Sequence, residues 1–293
     1  MKSVVLIIAM IVLYTLQSLL TKKYVDHYPG REDMASSVFT IVSGFAVVVI
    51  SLAFMGFRFD AQPATVILGV INAAVIIAYN FFIVKTAQTG PYTVLMVFSI
   101  AGGIILPTLV DFLAHGGFMS VWKWVAVAIV LGAVYMMSYR PADQVAWKKA
   151  FIPCCLGLAL ANGAYGTILN EQQIQTGASE KEELIAITYA LAAFASFIIY
   201  LVRENGSVAG FKQTKASLIY LVACSVVVAL AINVLVSIIP LINLTVLYTF
   251  DNAGTLLLSV ICSVVFFKER LSKLNTVGCV VMCGALIMIS LVK

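Results

Sequence analysis

The chain has 293 residues, of which 62% are hydrophobic and only 11% carry a charge. Soluble domains are about half apolar and about a quarter charged, so this composition excludes a water-soluble globular protein. The same numbers exclude a disordered chain, and a net charge of +5 without a basic block excludes a nucleic-acid-binding protein.

Long apolar segments recur along the whole sequence. A helix that spans a bilayer needs roughly 20 mostly apolar residues, and backbone groups in lipid must find their hydrogen bonds within the segment. The sequence therefore predicts an all-α, polytopic membrane protein. Its ten transmembrane helices are expected at residues 4–20, 35–55, 64–84, 91–113, 122–139, 151–169, 183–202, 216–239, 243–267 and 274–292.

Polar side chains lie within the predicted spans of the first half. Amides and phenols at such depth can form interhelical hydrogen bonds or the few polar contacts of an otherwise apolar binding site. We assign to a substrate site Tyr14 and Gln17 in span one, Tyr79 and Asn80 in span three, and Met96 and Ser99 in span four.

The second half carries further polar residues, and Asp251 in span nine is the most informative. A charge in the middle of a bilayer costs roughly 2.5–3.5 kcal/mol, so such a residue usually faces the protein interior or a wet cavity. Asp251 can hold the ammonium of a substrate, carry a coupling proton, or be a structural acid bonded to its neighbours. The other residues assigned to the site are Tyr248, Asn252, Thr255, Asn162, Tyr165 and Asn233.

An internal repeat relates the two halves of the sequence. Residues 93–138 align without a gap to residues 245–290, matching for example Ala101 and Gly102 to Ala253 and Gly254. The match shifts spans four and five onto spans nine and ten. Because five is odd, the second copy must be inverted in the membrane, an arrangement found in many secondary transporters. We predict one repeat at 1–140, a linker at 141–150 and a second repeat at 151–293.

Two short segments resemble a known family. Residues 80–103, with the break at 86–91, look like spans three and four of the drug/metabolite transporter superfamily of EamA type. Residues 266–272 resemble its Gly-Glu-Arg-Leu turn, with Lys268 in place of the usual Gly. The resemblance implies a ten-helix exporter or exchanger of small metabolites, with a central cavity lined mainly by spans 1, 3, 4, 6, 8 and 9.

Together these features predict a secondary transporter of small metabolites, such as amino acids or organic amines, working by alternating access in the plasma (inner) membrane. Its expected partners are the substrate, the lipid bilayer and a coupling proton or exchange substrate, with no nucleic acid, cofactor or metal, as a monomer or homodimer. A non-transporting sensor or assembly protein remains an alternative. An intramembrane enzyme is another, although both histidines lie outside the spans and we assign no catalytic residue.

The distribution of basic residues predicts an orientation. Thirteen of the 18 lysines and arginines fall in the odd-numbered breaks, and basic residues favour the cytoplasmic side. This count places both termini outside, whereas the family resemblance implies cytoplasmic termini.

Overall fold

The computed structural model describes residues 2–114, 120–139, 148–176, 180–207, 211, 213–238, 241 and 244–291. These residues form helices joined by short turns and contain no strand, which confirms the all-α prediction. The helices are α1 (Lys2–His27), α2 (Ala35–Phe54), α3 (Pro63–Thr89), α4 (Tyr92–Ala114), α5 (Val121–Ser138), α6 (Phe151–Thr176), α7 (Lys181–Arg203), α8 (Lys215–Ile238), α9 (Leu244–Phe267) and α10 (Lys273–Leu291).

Eight of the helices in the described part of the chain are long and apolar enough to cross a membrane. Among the described residues, α5 and α10 contribute the shorter apolar stretches Trp124–Ser138 and Lys273–Met288. Since a bilayer is the solvent that tolerates so many long apolar helices, the chain is a multi-pass membrane protein.

The outer surface of the bundle is apolar and its interior contains many polar side chains. Phe45, Ile67 and Phe194 are exposed, whereas Ser43 and Asn72 are buried. This distribution is the reverse of that expected in water. In lipid it is favourable, because interior hydroxyls and amides can bond between helices; Asn72 Nδ2, for example, donates to Thr188 Oγ1 at 3.2 Å.

Several helices extend beyond the predicted spans. The sequence predicts ends at residues 20, 84 and 169 for spans one, three and six, whereas α1, α3 and α6 end at His27, Thr89 and Thr176. Apolar length reports only the part of a helix within lipid. The backbone hydrogen bonds continue through the interface, where polar residues such as Lys and Gln are good helix formers.

Helices of the first half pack mainly on helices of the second half. The most extensive contacts join α1 to α8, α2 to α7, α5 to α10, and both α3 and α4 to α6. The helices of the two sequence halves are therefore interleaved in one bundle, and the interface between the halves runs along its centre.

The contact between α4 and α6 depends on glycine. A Cβ atom at Gly102 would lie 2.0 Å from the backbone oxygen of Ala159, and one at Gly163 would lie 2.5 Å from the backbone oxygen of Gly102. Only residues without a side chain allow the two backbones to approach this closely.

Two glutamates of the second half bind the first turns of helices in the first half. Glu269, after α9, accepts the backbone N–H groups of Tyr92 and Thr93 and, at 2.7 Å, the hydroxyl of Thr93 at the start of α4. Glu180, before α7, accepts the N–H of Gln62 at 2.9 Å and the hydroxyl of Thr65 at the start of α3. Carboxylates suit helix N-termini because free N–H groups point at them.

Candidate functional site

A cavity lies inside the bundle between the two halves. It encloses about 940 Å³ of empty space, counting its open part. Seven helices contribute to its lining: α1, α3, α4, α6, α7, α8 and α9. The lining residues are Tyr14, Gln17, Ser18, Ile76, Tyr79, Met96, Ser99, Ile100, Gly103, Asn162, Tyr165, Gly166, Leu169, Tyr189, Ile232, Leu235, Asp251, Asn252 and Thr255.

One end of the bundle is closed by side chains, and we call it the packed end. It contains the turns between α3 and α4 and between α9 and α10. Tyr92 is fully buried there, with its hydroxyl 3.5 Å from the Thr15 carbonyl and from Ser259 Oγ. Lys22 Nζ donates to the carbonyls of Ala87 and Gly90 at 3.1 and 3.3 Å. These contacts close the interior beyond the cavity.

The cavity extends from the middle of the bundle away from the packed end. Leu235 lies within the last turn of α8, and Asp251 lies in the third turn of α9. Both helix ends belong to the opposite end of the bundle from Tyr92. The cavity is therefore separated from the packed end and lies nearer the opposite end.

Asp251 is the one charged side chain among the described residues that line the cavity. Thr255, one turn further along α9, donates its hydroxyl to Asp251 Oδ1 at 3.3 Å. An ionised carboxylate can accept about four hydrogen bonds. The α9 face consequently presents an acidic group with unused acceptor capacity to the cavity.

The opposite wall is built by the close contact of α4 and α6. Asn162 Nδ2 donates to the backbone oxygen of Ser99 at 2.8 Å. A Cβ at Gly103 would lie 2.8 Å from the same Asn162 nitrogen, so the glycine leaves the room that this amide occupies. The bond positions Asn162 beside Ser99 and Met96, which also line the cavity.

Gln17 contributes a polar group from α1. Its side chain is buried, and among the described residues its Oε1 atom has no hydrogen-bond partner. A buried acceptor without a donor is costly, and it is usually explained by a water or ligand. Gln17 therefore adds a second unused acceptor to that of Asp251.

The structure brings most of the predicted site residues together. Ten of them line the cavity: Tyr14, Gln17, Tyr79, Met96, Ser99, Asn162, Tyr165, Asp251, Asn252 and Thr255. Tyr248 belongs to α9, but its side chain lies outside the described residues. The substrate-binding role of these residues stays a prediction.

Two predicted residues lie outside the cavity lining, Asn80 and Asn233. Each comes directly after a lining residue, Tyr79 or Ile232. Successive side chains point about 100° apart around a helix axis, so these asparagines face away from the cavity. Asn233 instead joins α8 to α2, where its Nδ2 donates to Ser51 Oγ at 3.2 Å, as well as to the Ala229 carbonyl at 2.8 Å. Asn80 is buried outside the lining.

Sequence reasoning missed Tyr189, which brings α7 into the cavity lining. The family resemblance had implied a cavity lined mainly by spans 1, 3, 4, 6, 8 and 9, and span seven was not among them. Tyr189 lies on a buried stripe of α7 with Ile185, Ala192 and Ser196. A phenol on such a stripe at helical spacing is the signal that could have identified it.

The described residues contain no group of three or more His, Cys, Asp or Glu side chains arranged to hold a metal ion. The six cysteines are unpaired thiols within the helices. Cys224, for example, donates to the Gln17 carbonyl at 3.4 Å in the contact between α8 and α1, so its visible role is in helix packing.

No family model and no curated protein matches the sequence. Among solved structures, the chain is similar to a crystal structure described only as that of a protein. The TM-score is 0.65 with 13% identity, over 98% of this chain and 96% of the other. At this identity the similarity shows that the two chains share a fold along nearly their whole length.

Proposed function

We propose that the protein is a secondary transporter that exports or exchanges small metabolites, such as amino acids or organic amines, across the plasma membrane. The observation that carries this proposal is the cavity between the interleaved halves, where Asp251 lies among amides, hydroxyls and phenols. Transporters of inverted-repeat architecture bind substrate near the middle of the membrane, between their repeats.

The proposal includes ten crossings arranged as two inverted five-helix repeats, with α5 and α10 also crossing the membrane. The packing supports this symmetry. Exchanging the first five helices for the last five converts the α1–α8 contact into the α6–α3 contact, and it leaves the α2–α7 and α5–α10 contacts unchanged; all four are among the most extensive in the bundle. The sequence match between residues 93–138 and 245–290 supports it independently.

We also propose membership of the drug/metabolite transporter superfamily of EamA type. Support comes from the two segments that carry the resemblance, since they meet at the packed end. Glu269, from the turn at residues 266–272, caps α4 at Tyr92 and Thr93, within the segment 80–103. A motif that joins the halves in this way has a reason to be retained in a transporter.

One closed end and one cavity support a mechanism of alternating access. With the packed end closed, a substrate reaches Asp251, Asn252 and Asn162 from the opposite end of the bundle. Rocking of one repeat against the other separates the contacts of Tyr92 and Glu269 and closes the opposite end. The sequence contains no nucleotide-binding loop, so an ion gradient or an exchange substrate drives the cycle.

The test begins with a thermal-shift screen of the purified protein against amino acids, amines, sugars and nucleosides, because a ligand stabilises the state that it binds. A compound that raises the Tm is then used in counterflow with proteoliposomes. We expect wild-type protein to exchange it and Asp251→Asn to fall to the level of empty liposomes while keeping its elution profile and helical content.

The matched control is Asp60→Asn, the same chemical change in the exposed turn before α3, which is expected to transport at the wild-type rate. Wild-type flux by Asp251→Asn at every pH would refute the role of the acid. Failure of every compound to stabilise the protein or to exchange would refute transport itself.

A further inference from the structure

The charges of the cavity are unbalanced. Among the described residues that line the cavity, Asp251 is the one carboxylic acid, and none is Lys, Arg or His. The nearby basic residue Lys22 belongs to the packed end, where its ammonium donates to the carbonyls of Ala87 and Gly90. A bound carboxylate would therefore meet no cation in this lining and would lie close to another carboxylate.

Two hydrogen-bond acceptors of the lining have unused capacity. Asp251 receives the Thr255 hydroxyl at 3.3 Å, and the buried Gln17 Oε1 has no donor among the described residues. An ammonium has several N–H donors and can satisfy such acceptors.

Aromatic rings complete a surface suited to a cation. Tyr14, Tyr79, Tyr165 and Tyr189 come from four different helices and all line the cavity. The face of a phenol ring attracts an ammonium or a quaternary nitrogen, and cages of such rings are a common means of binding organic cations. Isoleucine and leucine side chains of the lining provide contact for an apolar substrate body.

We propose that this cavity selects organic cations, that is, amines or ammonium compounds whose charged nitrogen pairs with Asp251 and whose body is apolar and carries no carboxylate. This inference rests on the proposed function and narrows it from amino acids or amines to amines. It predicts discrimination by charge between compounds that share one body.

The experiment uses four such compounds and the purified protein in lipid nanodiscs. Phenethylamine is a cation, phenylalanine a zwitterion, hydrocinnamate an anion and phenethyl alcohol neutral, and all carry a phenyl ring on a short chain. By calorimetry we expect phenethylamine to bind at least about tenfold more tightly than each of the other three, as expected when a single desolvated ion pair decides the affinity.

Variants of Asp251 test whether its carboxylate causes the preference for the cation. Asp251→Asn is expected to lose at least about tenfold in affinity for phenethylamine and to bind phenethyl alcohol as wild type does. Asp251→Glu, which keeps the charge, is expected to retain the preference for the cation, and so is the exposed control Asp60→Asn. Binding of the neutral alcohol by Asp251→Asn also shows that this variant is folded.

Equal or tighter binding of phenylalanine or hydrocinnamate to wild type would overturn the inference, and so would failure of phenethylamine to bind. Counterflow separates these failures from failure of the proposed function. Exchange of phenylalanine, or of another carboxylate found in the wider screen, would refute selection of cations while supporting transport. Tight binding of phenethylamine without exchange of any compound would support the cation site and refute transport.

Discussion

Glu180 and Asp251 are both acidic residues of an apolar protein, but they differ in the hydrogen-bond donors that their carboxylates receive. Glu180 accepts the backbone N–H of Gln62 and the hydroxyl of Thr65, and the same Thr65 hydroxyl accepts Gln172 Nε2 at 2.8 Å. Asp251 receives the Thr255 hydroxyl and faces a cavity. An acid that receives donors from a neighbouring helix is explained by structure, whereas an acid that faces a cavity with unused acceptors is available for a ligand.

The bonds of Glu180 predict a dependence of stability on pH. They lower the pKa of the Glu180 carboxyl below its usual range, with the Thr65 hydroxyl contributing most. A carboxyl with a lowered pKa in the folded state stabilises the protein at pH values above its unfolded-state pKa. That contribution is lost as the pH falls through the folded-state pKa.

We therefore expect Glu180→Gln to have a lower Tm than wild type at neutral pH, with the difference shrinking as the pH falls below the usual glutamate range. Thermal unfolding followed by circular dichroism across this pH range measures the difference. Glu32→Gln, at an exposed position, serves as the control and should match wild type throughout. A difference that does not change with pH would contradict this account.

At the scale of helices, close approach of backbones sets the shape of the cavity. Gly102 brings α4 against α6, and the same contact places Asn162 within 2.8 Å of the Ser99 carbonyl. A change at this contact is therefore expected to affect both stability and ligand binding.

Gly102→Ala tests this coupling. Its Cβ would collide with the backbone of Ala159, which cannot move aside without moving α6, so we expect a loss of about 1–3 kcal/mol in the free energy of unfolding and weaker ligand binding. Unfolding during a titration from a mild to a denaturing detergent measures the loss in free energy of unfolding. In Gly132→Ala, where a Cβ would meet no atom within 4 Å, neither effect is expected, and equal behaviour of the two variants would contradict the role of the contact.

One amide joins α5 and α10 at one end of their contact. Asn275 Nδ2 donates to the carbonyls of Met136, Met137 and Tyr139, each at 3.0 Å, at the end of α5. Its Oδ1 accepts the N–H and the hydroxyl of Ser272 at 2.9 and 2.8 Å. One side chain thus forms hydrogen bonds with free backbone groups at the end of α5 and at the start of α10.

Asn275→Asp separates these two roles, because it keeps the acceptor and removes the donor. We expect it to lower the free energy of unfolding by about 1–3 kcal/mol, the usual cost of leaving buried polar groups unsatisfied, with added repulsion from a negative charge at a helix C-terminus. The same detergent titration provides the measurement. Thr276→Ala, whose exposed hydroxyl donates to the Ser272 carbonyl at 3.3 Å, is the neighbouring control, and a loss as large in this control would refute the pairing role.

At the scale of the whole molecule, the distribution of basic residues predicts which end of the bundle faces the cytoplasm. The basic residues Lys22, Lys23, Arg31 and Lys268 all belong to the packed end or the turns beside it. Since basic residues favour the cytoplasm, we predict that the packed end faces the cytoplasm and that the cavity lies nearer the outside in this conformation.

Fusion reporters at the C-terminus test the orientation in a bacterial host. With the termini outside, alkaline phosphatase fused after residue 293 is expected to be active and green fluorescent protein to remain dark. A fluorescent fusion with inactive phosphatase would reverse the orientation and agree instead with the family resemblance. Fusions within the α7–α8 turn, at the packed end, should give the opposite signal in each case.

Local patterns in the sequence were enough to identify a helical membrane protein, to locate its helices and to mark the side chains that are unusual at that depth. These properties depend on apolar length and on the cost of a buried charge, and both are local. The ends of α1, α3 and α6 were less predictable, since a helix continues past the lipid boundary without an apolar signal.

Which polar side chains meet became visible in the packed bundle alone. Tyr79 lines the cavity and Asn80 does not, and Tyr189 joins from a helix that sequence reasoning left out. In water an apolar stripe shows which face of a helix is buried. In a bilayer both lipid and interior are apolar, so the rotation of each helix is set by backbone approach at residues such as Gly102 and by caps between the halves such as Glu269. Those contacts join residues far apart in the chain, and no local pattern records them.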